Sequence, residues 1–144
     1  MDGIIRSPVT IALDKVCDLA DTSASVFSEL ADMVVDSETS AELERCGQAR
    51  AQAVNDLIVA RQESGELPAA GDPERAALQA VGMKLESLVN DTEAMYHSLV
   101  DMDVELKAAV TAALESSRHE ATVERALHLL LQNLEETAQT LDPR

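Results

Sequence analysis

The three histidines are the residues with the clearest potential for metal chemistry or proton transfer in this sequence. A di-metal carboxylate centre in a helical bundle uses Glu-x-x-His pairs, because residues i and i+3 point into the same layer. The positions three before His97, His119 and His128 hold alanine, serine and arginine. The sequence therefore contains no Glu-x-x-His pair, and we expect no standard di-iron centre and no cofactor.

Each histidine does follow a glutamate by four residues. The pairs are Glu93 with His97, Glu115 with His119, and Glu124 with His128. On an exposed helix such a pair is worth only ~0.2–0.5 kcal/mol and is ordinary, but it could also form a weak metal site. We keep open an irregular site for iron or another divalent metal. Its candidate ligands are Asp21, Glu29, Asp32, Glu124, His128 and Glu135.

Nucleophilic catalysis has little support in the sequence. There is no Gly-x-Ser-x-Gly motif, and neither Cys17 nor Cys46 has a histidine close to it along the chain. If the first two helices form a hairpin that turns near Asp36, the two cysteines lie well beyond the ~7 Å Cα separation that a disulfide allows. We interpret both as buried apolar thiols, and we expect a protein that is not an enzyme.

Arg50 is the clearest anomaly, since it interrupts an apolar stripe between Cys46 and Val54. A buried guanidinium needs a carboxylate partner. In the hairpin register, the nearest acids on the first helix are Glu29 and Asp21. We therefore predict a structural ion pair between Arg50 and one of these acids. The alternative is that Arg50 buries its stem and extends its charge to the edge of the bundle.

Apolar residues spaced three and four apart predict two long helices in the first half of the chain. The first helix begins after an N-cap at Ser7 and runs to about Val35. The second begins at a capping box formed by Thr39 and Glu42 and runs to about Ser64.

The second half of the chain begins with the one convincing loop, residues 65–73. A third helix follows and is split at Asp91, which can cap its second part. Ser117 and Glu120 form another capping box, and the last helix runs from there to Leu141.

These elements predict an all-α fold of about five helices, an up-down four-helix bundle with a split third helix. The short connections imply antiparallel neighbours. The chain of 144 residues fits one domain, 1–144, with its core over 8–141. Only 5 Gly and 4 Pro leave few turns, which argues against a sandwich or barrel.

The charge is strongly negative, because 27 acids against 11 bases give a formal net charge of −16. Such a chain is a poor partner for nucleic acid or for an anionic membrane surface. We interpret Asp101 and Asp103, which flank Met102 on the apolar stripe, as part of a solvated face. No window approaches the ~20 apolar residues of a membrane helix, and residues 1–6 do not fit a secretion signal. We therefore expect a cytoplasmic protein.

Surplus apolar residues predict an interface. The apolar stripes of the first and last helices are wider than the core of one bundle requires. The additional apolar residues are Met33 and Val35 near the end of the first helix and Leu129 and Leu131 on the last. We expect a non-catalytic acidic bundle that acts as a homo-oligomer, a dimer or larger, or by binding a protein partner. The metal-binding protein described above stays an alternative. So does an acidic face that binds a basic partner.

Several residues in the predicted helices and loop occur in the same order as the motifs of a known protein family. They are Asp21-Thr22, Phe27, Leu30-Ala31-Asp32, Asp36, Ala49-Arg50, Gly65, Pro68, Gly71 and Asp103-Val104-Glu105-Leu106-Lys107. This order resembles that of a bacterial ferritin-like family of unknown function, whose members are small helical bundles.

The resemblance implies a ferritin-like bundle in which Arg50 is kept. The family has a Glu beside this arginine where the present chain has Ala49. It has a His-Arg pair where this chain has Gln79-Ala80, and often a His where this chain has Glu135. The resemblance therefore implies a fold, and not a metal site or an activity.

Overall fold

A computed structural model of the chain describes residues 7–65, 89–116 and 118–141. Within these ranges the secondary structure is entirely helical, as expected, and none of the helices is long and apolar enough to cross a membrane. The helices are α1 (Pro8–Met33), α2 (Ser37–Glu63), α3 (Thr92–Ser116) and α4 (Ala121–Leu141). The predicted loop after Gly65 and the first part of the split third helix lie outside the described residues.

The N-terminal ends of α1 and α2 are fixed by side-chain caps. Ser7 Oγ accepts a hydrogen bond from Thr10 N at 3.1 Å, which confirms the predicted N-cap. The capping box predicted at Thr39 and Glu42 is wrong. Asp36 is the N-cap of α2, because its Oδ2 accepts from Thr39 N at 2.8 Å and from Thr39 Oγ1 at 2.7 Å. These two hydrogen bonds lower the pKa of the Asp36 carboxyl.

Two further helix ends lie where the sequence predicted them, and one does not. Gly65, directly after the C-cap of α2, has φ +91°, a left-handed conformation that glycine adopts without steric cost. Asp91 Oδ1 accepts from Ala94 N at 3.1 Å and caps α3. The last helix starts at Ala121, because residues 118–120, which would form its first turn after a cap at Ser117, are not helical. Ser117 itself lies outside the described residues.

The four helices form a bundle in which α1 and α4 each pack against α2 and α3. One apolar cluster joins the N-terminal part of α1 to the C-terminal parts of α2 and α3 and the N-terminal part of α4. The other cluster joins the C-terminal part of α1 to the N-terminal parts of α2 and α3. Neighbouring helices are therefore antiparallel, but α2 and α3 run in the same direction across the diagonal. The up-down order expected from the sequence includes the first part of the split third helix, and that part lies outside the described residues.

The helices α1 and α2 approach each other closely at Gly47. A Cβ added there would lie 3.2 Å from Phe27 Cβ and 3.4 Å from Ala24 O and Ser28 N. The absence of a Cβ at Gly47 thus lets the two helices pack closely beside the residues that form the site described next.

Candidate functional site: a buried polar layer

A layer of polar side chains separates the two apolar clusters of the bundle, and all four helices contribute to it. We call it the polar layer. Its members are Ser23 on α1, Arg50 on α2, Asp103 on α3, and Asn133 and Thr137 on α4.

The centre of the polar layer is a buried ion pair between Arg50 and Asp103, which are 0% and 6% exposed. Arg50 Nη1 donates to Asp103 Oδ1 at 2.9 Å, and Arg50 Nη2 donates to Asp103 Oδ2 at 2.9 Å. This two-pronged geometry matches the planar guanidinium to the planar carboxylate. Each charge is thus compensated where water is excluded.

The other donors of the Arg50 guanidinium are also used. Nε donates to Asn133 Oδ1, Nη1 also donates to Ser23 Oγ, and Nη2 also donates to Thr137 Oγ1 at 3.3 Å. A guanidinium carries five N–H donors, and all of them therefore have acceptors. The Phe27 ring lies beneath the cation, with its centroid 5.6 Å from Arg50 Cζ.

The acceptors are linked to one another. Ser23 Oγ donates to Asp103 Oδ1 at 3.4 Å, so it bridges the two charged groups. Thr137 Oγ1 donates to the backbone oxygen of Asn133 at 2.9 Å. The polar layer is thus a closed network in which the guanidinium has no donor left for a substrate. Such a network stabilises one arrangement of the four helices.

The structure confirms that Arg50 is buried and paired, but the predicted partner is wrong. Glu29 and Asp21 are both exposed. The neighbouring helix α1 contributes Ser23 at this level, whereas the Arg50 side chain extends across the bundle to Asp103 on α3. Asp103 is also not on a solvated face. Its spacing from Leu99 and Leu106, four and three residues, places it on the apolar stripe, and this signal was available in the sequence.

A second buried arginine lies three turns further along α2. Arg61 is 2% exposed, and its Nη2 donates to Asp14 Oδ1 at 2.9 Å. Its Nη1 donates to Cys17 Sγ at 3.6 Å. No pairing of Arg61 was predicted, although it follows Arg50 by eleven residues and so lies on the same helical face.

Both cysteines are free, as expected. Burial raises the pKa of the Cys17 thiol, with the Arg61 hydrogen bond opposing that effect. Burial also raises the pKa of Cys46, from an ordinary value of 9.0 to about 11. Both thiols are therefore held in the neutral form, in keeping with the apolar role predicted for them.

The structure does not bring the alternative metal ligands together. All six are exposed, with Asp21, Glu29 and Asp32 on α1 and Glu124, His128 and Glu135 on α4, diagonally across the bundle. Among the described residues, no group of three or more His, Cys, Asp or Glu side chains is arranged to hold a metal ion.

The glutamate–histidine pairs do not form a site either. His97 Nε2 is 3.9 Å from Asp101 Oδ2, a contact between two exposed side chains. His119 Nε2 lies 2.8 Å from the backbone oxygen of Ala113, so this ring is held by the end of α3.

No family model, no curated protein and no solved structure matches the chain. The resemblance to a ferritin-like family therefore stays a prediction.

Proposed function

We propose that this protein is a non-catalytic helical bundle that acts through protein–protein contact, and that self-association is the form of that contact. The observation that carries the proposal is the closed polar layer. All five donors of Arg50 are used inside the bundle, so the layer serves the fold rather than a ligand. Among the described residues, the groups that remain able to bind a partner are therefore on the outer surface of the bundle.

That surface carries large apolar side chains. The exposed ones are Ile11, Met33, Val35, Val59, Val104 and Leu129. Three of the four residues predicted to be surplus are among them, whereas Leu131 is half-buried against the core. Single exposed apolar residues are ordinary, but Val59 and Leu129 line the same groove, which favours a role in binding.

The directions of the helices support a ferritin-like arrangement as part of this proposal. The C-terminal end of α2 and the N-terminal end of α3 lie at opposite ends of the bundle. Four-helix bundles of the ferritin-like kind differ from simple up-down bundles by one long connection. We propose this arrangement without a metal site, because the described residues gather no set of metal ligands.

The test is the mass of the full chain in solution. Sedimentation equilibrium over increasing protein concentration should give a mass that rises above the 15.4 kDa of one chain. A mass of one chain at every concentration would contradict the proposal. Protein purified without a chelator should contain no stoichiometric iron, manganese or zinc. Stoichiometric metal would favour the metal-binding alternative instead.

A further inference from the structure

We infer that two copies of this chain pair through the groove between α2 and α4, an inference that rests on the self-association proposed above. This α2–α4 groove encloses about 220 Å³. It is lined by Asp56, Val59, Ala60, Glu63, Thr122, Arg125, Ala126 and Leu129.

The shape of the α2–α4 groove suits a second helical surface. Each helix contributes residues at positions i, i+3, i+4 and i+7, which form one edge of a helix. Ala60 and Ala126 form a buried floor, while Val59 and Leu129 are 40% and 45% exposed beside it. Small residues flanked by large ones let side chains of a facing helix interdigitate.

The charges of the α2–α4 groove are complementary to each other. Arg125 forms no ion pair with another described residue, although Asp56 and Glu63 line the same groove. Because α2 and α4 are antiparallel and share the floor at Ala60 and Ala126, Arg125 lies at a level between the two acids.

A two-fold axis parallel to the bundle would place α4 of one copy over α2 of the other. Arg125 would then face Asp56 and Glu63 of the second copy, and the same contacts would form twice. A groove that holds both signs of charge is suited to its own copy. A basic partner would be better matched by the groove between α1 and α2, which is lined by Asp21, Asp32 and Glu44 and by no base.

The first experiment removes the apolar part of the interface. Val59→Asp with Leu129→Asp should raise the dissociation constant of the dimer at least ~10-fold, because apolar residues at the centre of an interface carry most of its affinity. Both side chains are partly exposed, so the helical content and urea unfolding should stay those of the unmodified chain. The matched control is Val104→Asp, since Val104 is 60% exposed on α3 outside the groove and its change should leave association unaltered.

The second experiment uses the charges. Two variants are compared: the single variant Arg125→Glu and the double variant Asp56→Arg/Glu63→Arg. Each by itself should weaken self-association about 10-fold, because like charges then face each other across the interface. An equimolar mixture of these two variants should form a heterodimer, since each charge then faces its opposite.

The outcomes separate the two proposals. If the unmodified chain self-associates but these variants behave like it, the α2–α4 groove is not the interface, and the proposed function stands. If the unmodified chain has the mass of one chain at every concentration, the proposed function falls, and this inference falls with it.

Discussion

The carboxylate of Asp103 on α3 binds the guanidinium of Arg50 on α2 across the diagonal of the bundle, at 2.9 Å from each of two nitrogens. These two helices do not pack side by side, so their connection at this level is through the polar layer. Ser23 and Thr137 bind the same guanidinium from the remaining helices. One buried cation on α2 thus binds side chains from each of the other three helices.

The first prediction concerns the loss of Arg50. Arg50→Met keeps the packing of the stem but leaves Asp103 buried without its partner, and removing one member of a buried pair costs ~3–5 kcal/mol. Combining Arg50→Met with Asp103→Leu should recover much of that loss, because neither charge is then left alone. Urea unfolding of the single and double variants measures both values.

The control for this prediction comes from the acids that the sequence suggested as partners. Glu29→Ala and Asp21→Ala change exposed side chains and should each alter the free energy of unfolding by less than ~0.5 kcal/mol. A near-neutral Arg50→Met, or a double variant no more stable than the single one, would show that the polar layer contributes little.

The second prediction concerns the close approach at Gly47. Gly47→Leu should destabilise the bundle by ~1–3 kcal/mol, because even the Cβ would lie 3.2 Å from Phe27 Cβ. Ala49→Leu is the matched control, since Ala49 is exposed on the same helix and leucine is a good helix former. Equal thermal midpoints for the two variants would contradict the close packing of α1 on α2.

The third prediction concerns pH. The pKa of Cys46 is raised by burial from 9.0 in the unfolded chain to about 11. Above pH 9.0 the unfolded chain loses the Cys46 proton while the folded chain still keeps it. The contribution of Cys46 to the free energy of unfolding is therefore fully present below pH 9.0 and is lost as the pH rises towards 11. Cys46→Ala should therefore lose less stability than the unmodified chain over this range. Urea unfolding at both ends of the range measures the difference.

The same comparison has a clear contrary outcome. If the stability of both chains falls equally between these pH values, Cys46 is ionised as easily in the folded bundle as in the unfolded chain. The comparison of two chains also removes the contribution of Tyr96, whose pKa is likewise raised by burial and which is present in both.

The fourth prediction concerns salt. Each chain carries a formal net charge of −16, so two copies repel each other, and this repulsion is screened over ~10 Å at 0.1 M salt. We expect self-association to strengthen as sodium chloride is raised from low concentration. Sedimentation at several salt concentrations measures this. Association that weakens steadily with salt would instead indicate that the opposite charges of the α2–α4 groove, Arg125 against Asp56 and Glu63, outweigh this net repulsion.

The sequence by itself determined the helices and most of their inward faces. Ser7, Asp91 and Gly65 mark helix ends because capping and left-handed φ depend on residues only a few positions away. The burial of Arg50 could also be predicted, since the period of a helix places it on the same side as Cys46.

The tertiary structure alone decided which residue Arg50 binds. Helical periodicity indicates that a residue faces inward, but it does not indicate which helix lies opposite that residue. The sequence suggested the acids of α1, because a hairpin neighbour is the simplest expectation. The packing instead set α2 and α3 across the diagonal in the same direction and brought Asp103 to the guanidinium. Contacts between distant segments depend on how all four helices are arranged, and local spacing does not carry that information.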